Sequence, residues 1–285
     1  MLVVWRRNSR APAMEDNGVS ATEVSENFVL IVFLILTLVL WGPWYWQSFR
    51  IRPLGVPGWS RRLLQATPLV CGAILYFVLR HLAATDVRNA ASYLCLYILM
   101  GSGWLAILEN LAIYFGLSAR DDVFERNNPA AAVAISGWLL GGNLAFAGSN
   151  VGEGPGWYVV VFCAILAGAA LLVVWLMLNL ATHVAEAISV DRDVASGLRA
   201  AGFCVACGLI LGWAVAGDWT ALDATVSDFL KHGWPVLLLL AVAVVFERAL
   251  QPTPAQPAPS RALSGVLPAL IYVGLAVALL FALNK

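Results

Sequence analysis

Long apolar runs alternate with short polar breaks along this chain. After a polar stretch at 1–26, eight runs of about 19–26 residues follow, at 27–47, 66–86, 91–115, 129–149, 157–182, 194–217, 232–250 and 263–283. Each run is long enough to cross a hydrocarbon core of ~30 Å as a helix. Because the apolar residues are continuous and do not alternate with polar ones, the pattern indicates helices and not a barrel. The predicted fold class is all-α, a polytopic transmembrane helical bundle of about eight spans.

Composition agrees with this pattern. Of 285 residues 61% are hydrophobic and 12% are charged, against ~25% charged in soluble domains. Seventeen basic residues balance seventeen acidic ones, so nothing attracts the chain to nucleic acid. The five cysteines lie in apolar runs and are expected to be small packing residues, neither disulfides nor metal ligands: Cys71, Cys95, Cys163, Cys204 and Cys207.

The polar breaks predict six segments. They are a polar N-terminal tail (1–26), an N-terminal three-helix membrane region (27–118), helical-hairpin repeats 1 (119–187) and 2 (188–250), a Pro-rich linker (251–262) and a C-terminal transmembrane helix (263–285). Pro53, Gly55 and Pro57 interrupt the first loop, and Pro129 opens the fourth helix. Residues 218–231 are partly amphipathic, as in a surface helix or a loop. Either Met1 or Met14 can be the start of translation.

Basic residues predict the orientation. Loops 1–2, 3–4, 5–6 and 7–8 contain ten arginines: Arg50, Arg52, Arg61, Arg62, Arg120, Arg126, Arg192, Arg199, Arg248 and Arg261. The other side has seven basic residues: Arg6, Arg7, Arg10, Arg80, Arg88, Lys231 and Lys285. The positive-inside rule therefore places the odd loops in the cytoplasm and both termini outside the cytoplasm. Tryptophans at predicted helix ends support the span boundaries: Trp44, Trp46, Trp157, Trp219 and Trp234.

An internal repeat with an offset of 65 residues relates the fourth and sixth spans. Its matched positions are Ala130 with Ala195, Gly137 with Gly202, Leu144 with Leu209, Gly152 with Gly217, and the outer-turn acids Glu153 with Asp218. Asn128 and Asp193 are suitable N-caps. Gly137 with Gly141 and Gly208 with Gly212 form small-xxx-small packing motifs. The predicted repeat is parallel, and it is either a structural unit alone or part of a site. A weak third copy is centred on Gly72.

Two stretches resemble a known family. ERNNPAAAVAISGWLLGGNLAFAGSNVGEG (125–154) and VDRDVASGLRAAGFCVACGLILGWAVAGD (190–218) are similar to the repeat of small bacterial inner-membrane proteins known as domain of unknown function 350. The resemblance covers about 125–250, and the second copy departs from it at Asp193 and Arg199. It implies a multi-pass protein of the bacterial inner (plasma) membrane with no established activity. Relatives are often linked with envelope-stress proteins of the phage-shock type and with ATP-grasp ligases.

Polar residues inside apolar runs are the candidates for function. Asn143 can coordinate an ion or a lipid head group, or form a hydrogen bond between helices. Glu109, with Asn110 beside it, can bind a cation or a proton inside the bundle, or lie in water at the cytoplasmic interface. Arg80 is expected to extend to the membrane surface. Its pairing with Glu109 is disfavoured because the two lie toward opposite membrane faces.

Motifs that would indicate an enzyme are absent. His183 and Glu186 have helical spacing but lack further metal ligands, and no phosphate-binding loop, HExxH or GxSxG occurs. We therefore expect no catalytic residue, metal or cofactor. The predicted function is that of a non-enzymatic scaffold or accessory factor in envelope maintenance, in contact with the lipid bilayer and with a membrane-protein partner or a second copy of itself. The alternatives are a small transporter or channel with a path near Asn143 and Glu109, and a lipid-modifying enzyme.

Overall fold

The computed structural model describes residues 21–51, 58–252 and 260–283. Most of the N-terminal tail, the loop with Pro53, Gly55 and Pro57, and most of the Pro-rich linker lie outside these residues. Eleven α-helices occur in the described part: α1 (Ala21–Arg50), α2 (Trp59–His81), α3 (Thr85–Asn89), α4 (Ala91–Ala112), α5 (Pro129–Gly148), α6 (Trp157–Thr182), α7 (Val184–Ser189), α8 (Val194–Ala214), α9 (Leu222–Gly233), α10 (Pro235–Leu250) and α11 (Leu267–Leu283). Short 3-10 or π-helical turns cover Ile113–Phe115, Ala119–Glu125 and Ala262–Val266.

Eight helical segments of the described chain are long and apolar enough to cross a membrane. They are Val24–Arg50, Trp59–His81, Ala91–Phe115, Pro129–Gly148, Trp157–Thr182, Val194–Ala214, Leu222–Leu250 and Ala262–Ala282. In this part of the chain no β-strand occurs, and the one β-type pairing is an isolated bridge between Ala83 and Gly152. The predicted all-α, polytopic helical bundle of about eight spans is therefore confirmed.

The second span differs from its predicted bounds of 66–86. It begins at Trp59 and ends at His81. Its polar first turns are helical because they bond to the end of α1: Arg61 Nη1 donates to the Ile51 carbonyl (2.7 Å), and Gln65 Nε2 donates to Ser48 Oγ (3.0 Å). The polar side chains at the start of α2, which suggested a loop, thus form hydrogen bonds with the end of α1.

Residues 218–231 are largely helical. The amphipathic helix α9 begins at Leu222, places Phe229 and Gly233 against the core, and leads directly into α10. The sixth span ends at Ala214, three residues before its predicted end. Gly217 there has φ +133, which a residue other than glycine adopts only with strain.

Alternate spans along the chain pack parallel, because the contacts between them advance in the same direction along both helices, for example Gly137 with Ala201 and Gly141 with Cys204. The helices α2, α5, α8 and α11 form a row in this way, and α1 packs on α4 and α6 on α10 in the same sense. Hydrogen bonds that join such neighbours include Thr67 to Ser136, Asn143 to Cys71, Trp44 to Glu109 and Arg248 to Ala181. They span between 65 and 72 residues of sequence. These separations are close to the 65-residue offset seen in the sequence.

Glycines bring α5 and α8 into backbone contact. A Cβ atom at Gly137 would overlap Ala201, one at Gly141 would overlap the Cys204 carbonyl, and one at Gly208 would overlap Gly141. Gly212 packs on the backbone of α5 in the same way, whereas Gly202 faces α11. Such close approach is typical of helix association in lipid, where small residues replace the hydrophobic effect as the basis of packing.

The bundle has two ends, named here after one residue at each. The Asn128 end has the starts of α2, α5 and α8. The Glu153 end has the turns that connect α2 to α4, α5 to α6 and α8 to α9.

Candidate functional site

Matching helix starts lie at the Asn128 end. Asn128 Oδ1 accepts N–H bonds from the first turn of α5, and both carboxylate oxygens of Asp193 do the same for α8. The residues before these caps, Asn127 and Arg192, both have positive φ, of +48 and +55. Asn128 Nδ2 also donates to the Ile188 carbonyl (2.7 Å), so the first cap holds the segment that precedes the second.

An ion pair is buried near this end. Arg199 in α8 bonds Glu247 in α10 through Nε to Oε1 and Nη2 to Oε2, both 2.8 Å. Its guanidinium also donates to Ser196 Oγ (2.8 Å) and to the Ser264 carbonyl, and Asp193 Oδ2 lies 3.9 Å away. One arginine therefore connects α8, α10 and the turn before α11.

The position of Arg199 inside a helix changes the count of basic residues in loops from which the orientation was predicted. Arg199 is fully buried inside a helix and is neutralised there, so it does not belong to loop 5–6. The odd loops then contain nine arginines against seven basic residues on the other side. The charge asymmetry that predicts the orientation is correspondingly smaller.

Asn143 lies at the centre of the bundle and is fully buried. Its Nδ2 donates to the Cys71 carbonyl of α2 (3.1 Å), while its Oδ1 has no partner among the described residues. The flanking Gly141 and Gly142 meet α8 and Leu108 of α4 closely. The amide therefore joins α5 to α2 within tightly packed surroundings.

Glu109 is buried inside the bundle and does not lie in water, with 8% of its surface exposed. Trp44 Nε1 of α1 donates to its Oε1 (3.0 Å). The neighbouring Asn110 is exposed and its side chain donates to the Ala106 carbonyl (2.8 Å) of its own helix. The structure thus separates two residues that are adjacent in sequence: one joins helices and the other faces outward.

Arg80 is exposed at the end of α2, where its guanidinium donates to the Arg88 carbonyl. The acidic partner considered for it, Glu109, is instead bonded to Trp44. The structure does not bring Arg80 and Glu109 together.

Glu153 connects three turns at its end of the bundle. Its N–H donates to Asp218 Oδ1 (2.8 Å), its carbonyl accepts the Trp219 N–H (2.8 Å), and its carboxylate accepts the Thr85 N–H (3.2 Å). On either side, Gly217 N–H donates to the Val151 carbonyl and Gly152 forms the bridge to Ala83. The outer-turn residues matched in the sequence, Gly152 with Gly217 and Glu153 with Asp218, are therefore in direct contact.

An open cavity of about 380 Å³ lies beside this junction. We call it the acidic cavity, because five carboxylates line it and, among the residues that the structure describes, no lysine or arginine does: Glu26, Asp86, Glu153, Asp218 and Asp228. Its other lining residues include Tyr93, Tyr97, Ser149, Asn150 and Trp219. Asn150 is 6% exposed and its Oδ1 has no hydrogen-bond partner among the described residues.

A smaller cavity of about 110 Å³ lies at the Asn128 end. His183, Glu186 and Asp191 line it together with Thr182 and Gln251. Within the described ranges no group of three or more His, Cys, Asp or Glu side chains is placed to hold a metal ion. All five cysteines are free thiols, four of them buried.

Asp122 is a buried carboxyl outside the spans, in the turn before α5. Burial raises its pKa, and the Ser118 N–H (2.9 Å from Oδ2) and Arg126 (3.5 Å from Oδ1) oppose that rise. Its backbone carbonyl accepts the Asn128 N–H (2.8 Å), so the turn and the helix cap form one unit.

Several residues of these sites were not identified from the sequence. Glu247, Asp86 and Asn150 were not among the candidate residues predicted from the sequence. The spacing between Arg199 and Glu247, 48 residues, gives no local signal. A signal was available for the acidic cavity, since the turns at 86, 153 and 218 each contain an acid.

Comparison with known proteins gives one family. The model of the domain of unknown function 350 (DUF350) matches residues 72–215, about half of the chain. The match begins inside α2 and ends just after α8, so it includes α4, which the resemblance at 125–250 had left outside, and it excludes α10. No curated protein and no solved structure matches the chain. With its eight apolar helices, the chain therefore belongs to the DUF350 family of multi-pass membrane proteins.

Proposed function

We propose that this protein is a non-enzymatic scaffold or accessory factor in the maintenance of a bacterial envelope. The observation that supports this most is the backbone contact between α5 and α8, where glycines such as Gly137, Gly141 and Gly208 leave no room for a path between the helices. Close packing of this kind suits a rigid support for partners, because interiors at native density deform little.

The polar residues inside the bundle support the same proposal. Asn143 and Glu109, near which the alternative function would place a transport path, line neither the acidic cavity nor the small cavity. Each bonds a neighbouring helix, as does the ion pair of Arg199 and Glu247. Polar side chains used this way stabilise helix association in lipid by about 0.6–2 kcal/mol each.

The location belongs to the proposal as well. We place the protein in the bacterial inner membrane with both termini outside the cytoplasm, which puts the acidic cavity on the outer face. The excess of arginines in the odd loops supports this orientation even after Arg199 is removed from the count.

Partners are expected along the outermost helices. Large apolar side chains of α1 and α11 are exposed at both edges of the bundle, among them Phe28 (67%) and Phe281 (72%). These faces suit lipid, another membrane protein or a second copy of this chain.

A flux measurement tests the scaffold proposal. The purified full chain is reconstituted in liposomes, and permeability to protons, potassium and small anions is recorded for wild type, Asn143→Leu and Glu109→Gln. We expect no flux above that of empty liposomes. Flux that is present in wild type and abolished by Asn143→Leu would overturn the proposal and establish the alternative, a small transporter or channel with its path at α5 and α4.

A further inference from the structure

We propose that the acidic cavity binds an organic polycation of the polyamine class. The five carboxylates come from separate parts of the chain: α1, the α2–α4 connection, the turn after α5, the turn after α8, and α9. Lys231 is paired with one of them, 3.4 Å from Asp228 Oδ1, and both side chains are exposed. A cavity with this charge, and with no basic lining residue in the described part of the chain, attracts cations.

The spread of the carboxylates favours separated charges over a single ion. In the described part of the chain no three acidic, His or Cys side chains converge as metal ligands would. A linear polyamine instead has several ammonium groups along a flexible chain, and each donates up to three hydrogen bonds. The volume of about 380 Å³ also lies in the range of small-molecule sites.

Asn150 indicates where one ammonium group would bind. Its Nδ2 donates to the Phe146 carbonyl (2.7 Å), which fixes the amide and leaves Oδ1 as a buried acceptor without a partner. An unsatisfied buried acceptor is costly, and an ammonium N–H in the cavity would satisfy it. Asn150 lines the same cavity as the five carboxylates, which would bind the remaining ammonium groups.

Aromatic side chains complete the site. Tyr97, 7% exposed, and Trp219 both line the cavity. Tyr93 does so too, and its hydroxyl donates to Glu26 Oε1 (3.3 Å). Aromatic faces next to carboxylates are the arrangement that recognises alkylammonium groups through cation–π attraction.

Calorimetry with spermidine as the probe tests the site. The full chain is placed in phosphatidylcholine nanodiscs, which add no anionic lipid, and is titrated in about 150 mM NaCl so that weak surface attraction is screened. We expect saturable binding that empty nanodiscs do not show. The double variant Glu153→Gln/Asp218→Asn removes two negative charges but keeps the side-chain oxygens that accept from the Thr85 and Glu153 N–H groups. We expect its affinity for spermidine to fall by about tenfold or more.

Asp223→Asn is the matched control, because Asp223 is an exposed acid on the same helix as Asp228 but does not line the cavity. Its affinity should equal that of wild type. If the double variant fails to fold, Asp86→Asn and Asp228→Asn replace it. No binding by wild type, equal binding by cavity and control variants, or tighter binding of Mg²⁺ alone in the same cavity would each overturn the proposal.

Discussion

The guanidinium of Arg199 and the carboxylate of Glu247 form a two-bond ion pair in which neither side chain reaches the surface, with 0% and 1% exposure. Both charges are desolvated, so each depends on the other. Because Arg199 also bonds the Ser264 carbonyl, the pair sets how α10 and α11 lie against α8.

Removal of either charge should destabilise the bundle. Arg199→Met or Glu247→Leu alone leaves an unpaired buried charge, and we expect a loss of about 3–5 kcal/mol, seen as a large fall in the unfolding temperature in detergent. The double variant Arg199→Met/Glu247→Leu should recover most of it. If the double variant is as unstable as the less stable single variant, an unpaired buried charge is not the cause of the lost stability.

Because α5 packs closely on α8, alanine substitutions at two helical glycines should change the stability of the protein by very different amounts. Gly208→Ala places a Cβ against the Gly141 backbone and should cost about 1–3 kcal/mol. Gly72→Ala has nothing within 4 Å of the new Cβ and should be neutral or slightly stabilising. Thermal unfolding of both variants checks this, and equal effects would argue against the close helix contact.

The junction at Glu153 depends on the backbone of Gly152. Gly152→Ala must adopt φ near +106 and overlap the Gly217 carbonyl, so it should lower stability by more than about 1 kcal/mol. Gly154→Ala is the control, since its Cβ would meet its nearest neighbour, Trp219, at 3.7 Å. Spermidine binding should weaken with Gly152→Ala.

The buried carboxyl of Asp122 should make the stability of the protein depend on pH. Because its pKa is raised by burial, the folded state holds the proton more tightly than the unfolded state. Its contribution to stability is therefore greatest at low pH and falls as pH rises above its ordinary value of 3.8 and through the raised pKa. Asp122→Asn should raise the unfolding temperature at pH 7, with the difference shrinking toward pH 4.

Some features could be predicted from the residues alone because their causes are local. Apolar runs specify the spans, as they do for α4 and α6, whose predicted starts match. The Asn128 and Asp193 caps act on the helix that immediately follows each of them. The start of α2 was misjudged because Arg61 and Gln65 find partners in α1, and such partners are not visible in sequence.

The candidate sites also differ in whether their causes are local. Asn143 and Glu109 were identified because a polar residue in an apolar run is conspicuous, yet only the fold shows that both bond neighbouring helices. The acidic cavity was not foreseen at all. Its lining comes from turns more than 60 residues apart, such as those of Asp86, Glu153 and Asp218.

By itself, the sequence determined that this chain is a helical membrane protein of about eight spans, and it predicted an internal repeat with an offset of 65 residues. Hydrophobicity and helix capping act over a few turns, so they can be read from neighbouring residues. The tertiary structure alone decided that Arg199 pairs with Glu247 and that the outer turns enclose a cavity. Both depend on which helices lie side by side, and helix packing brings together residues that no local pattern connects.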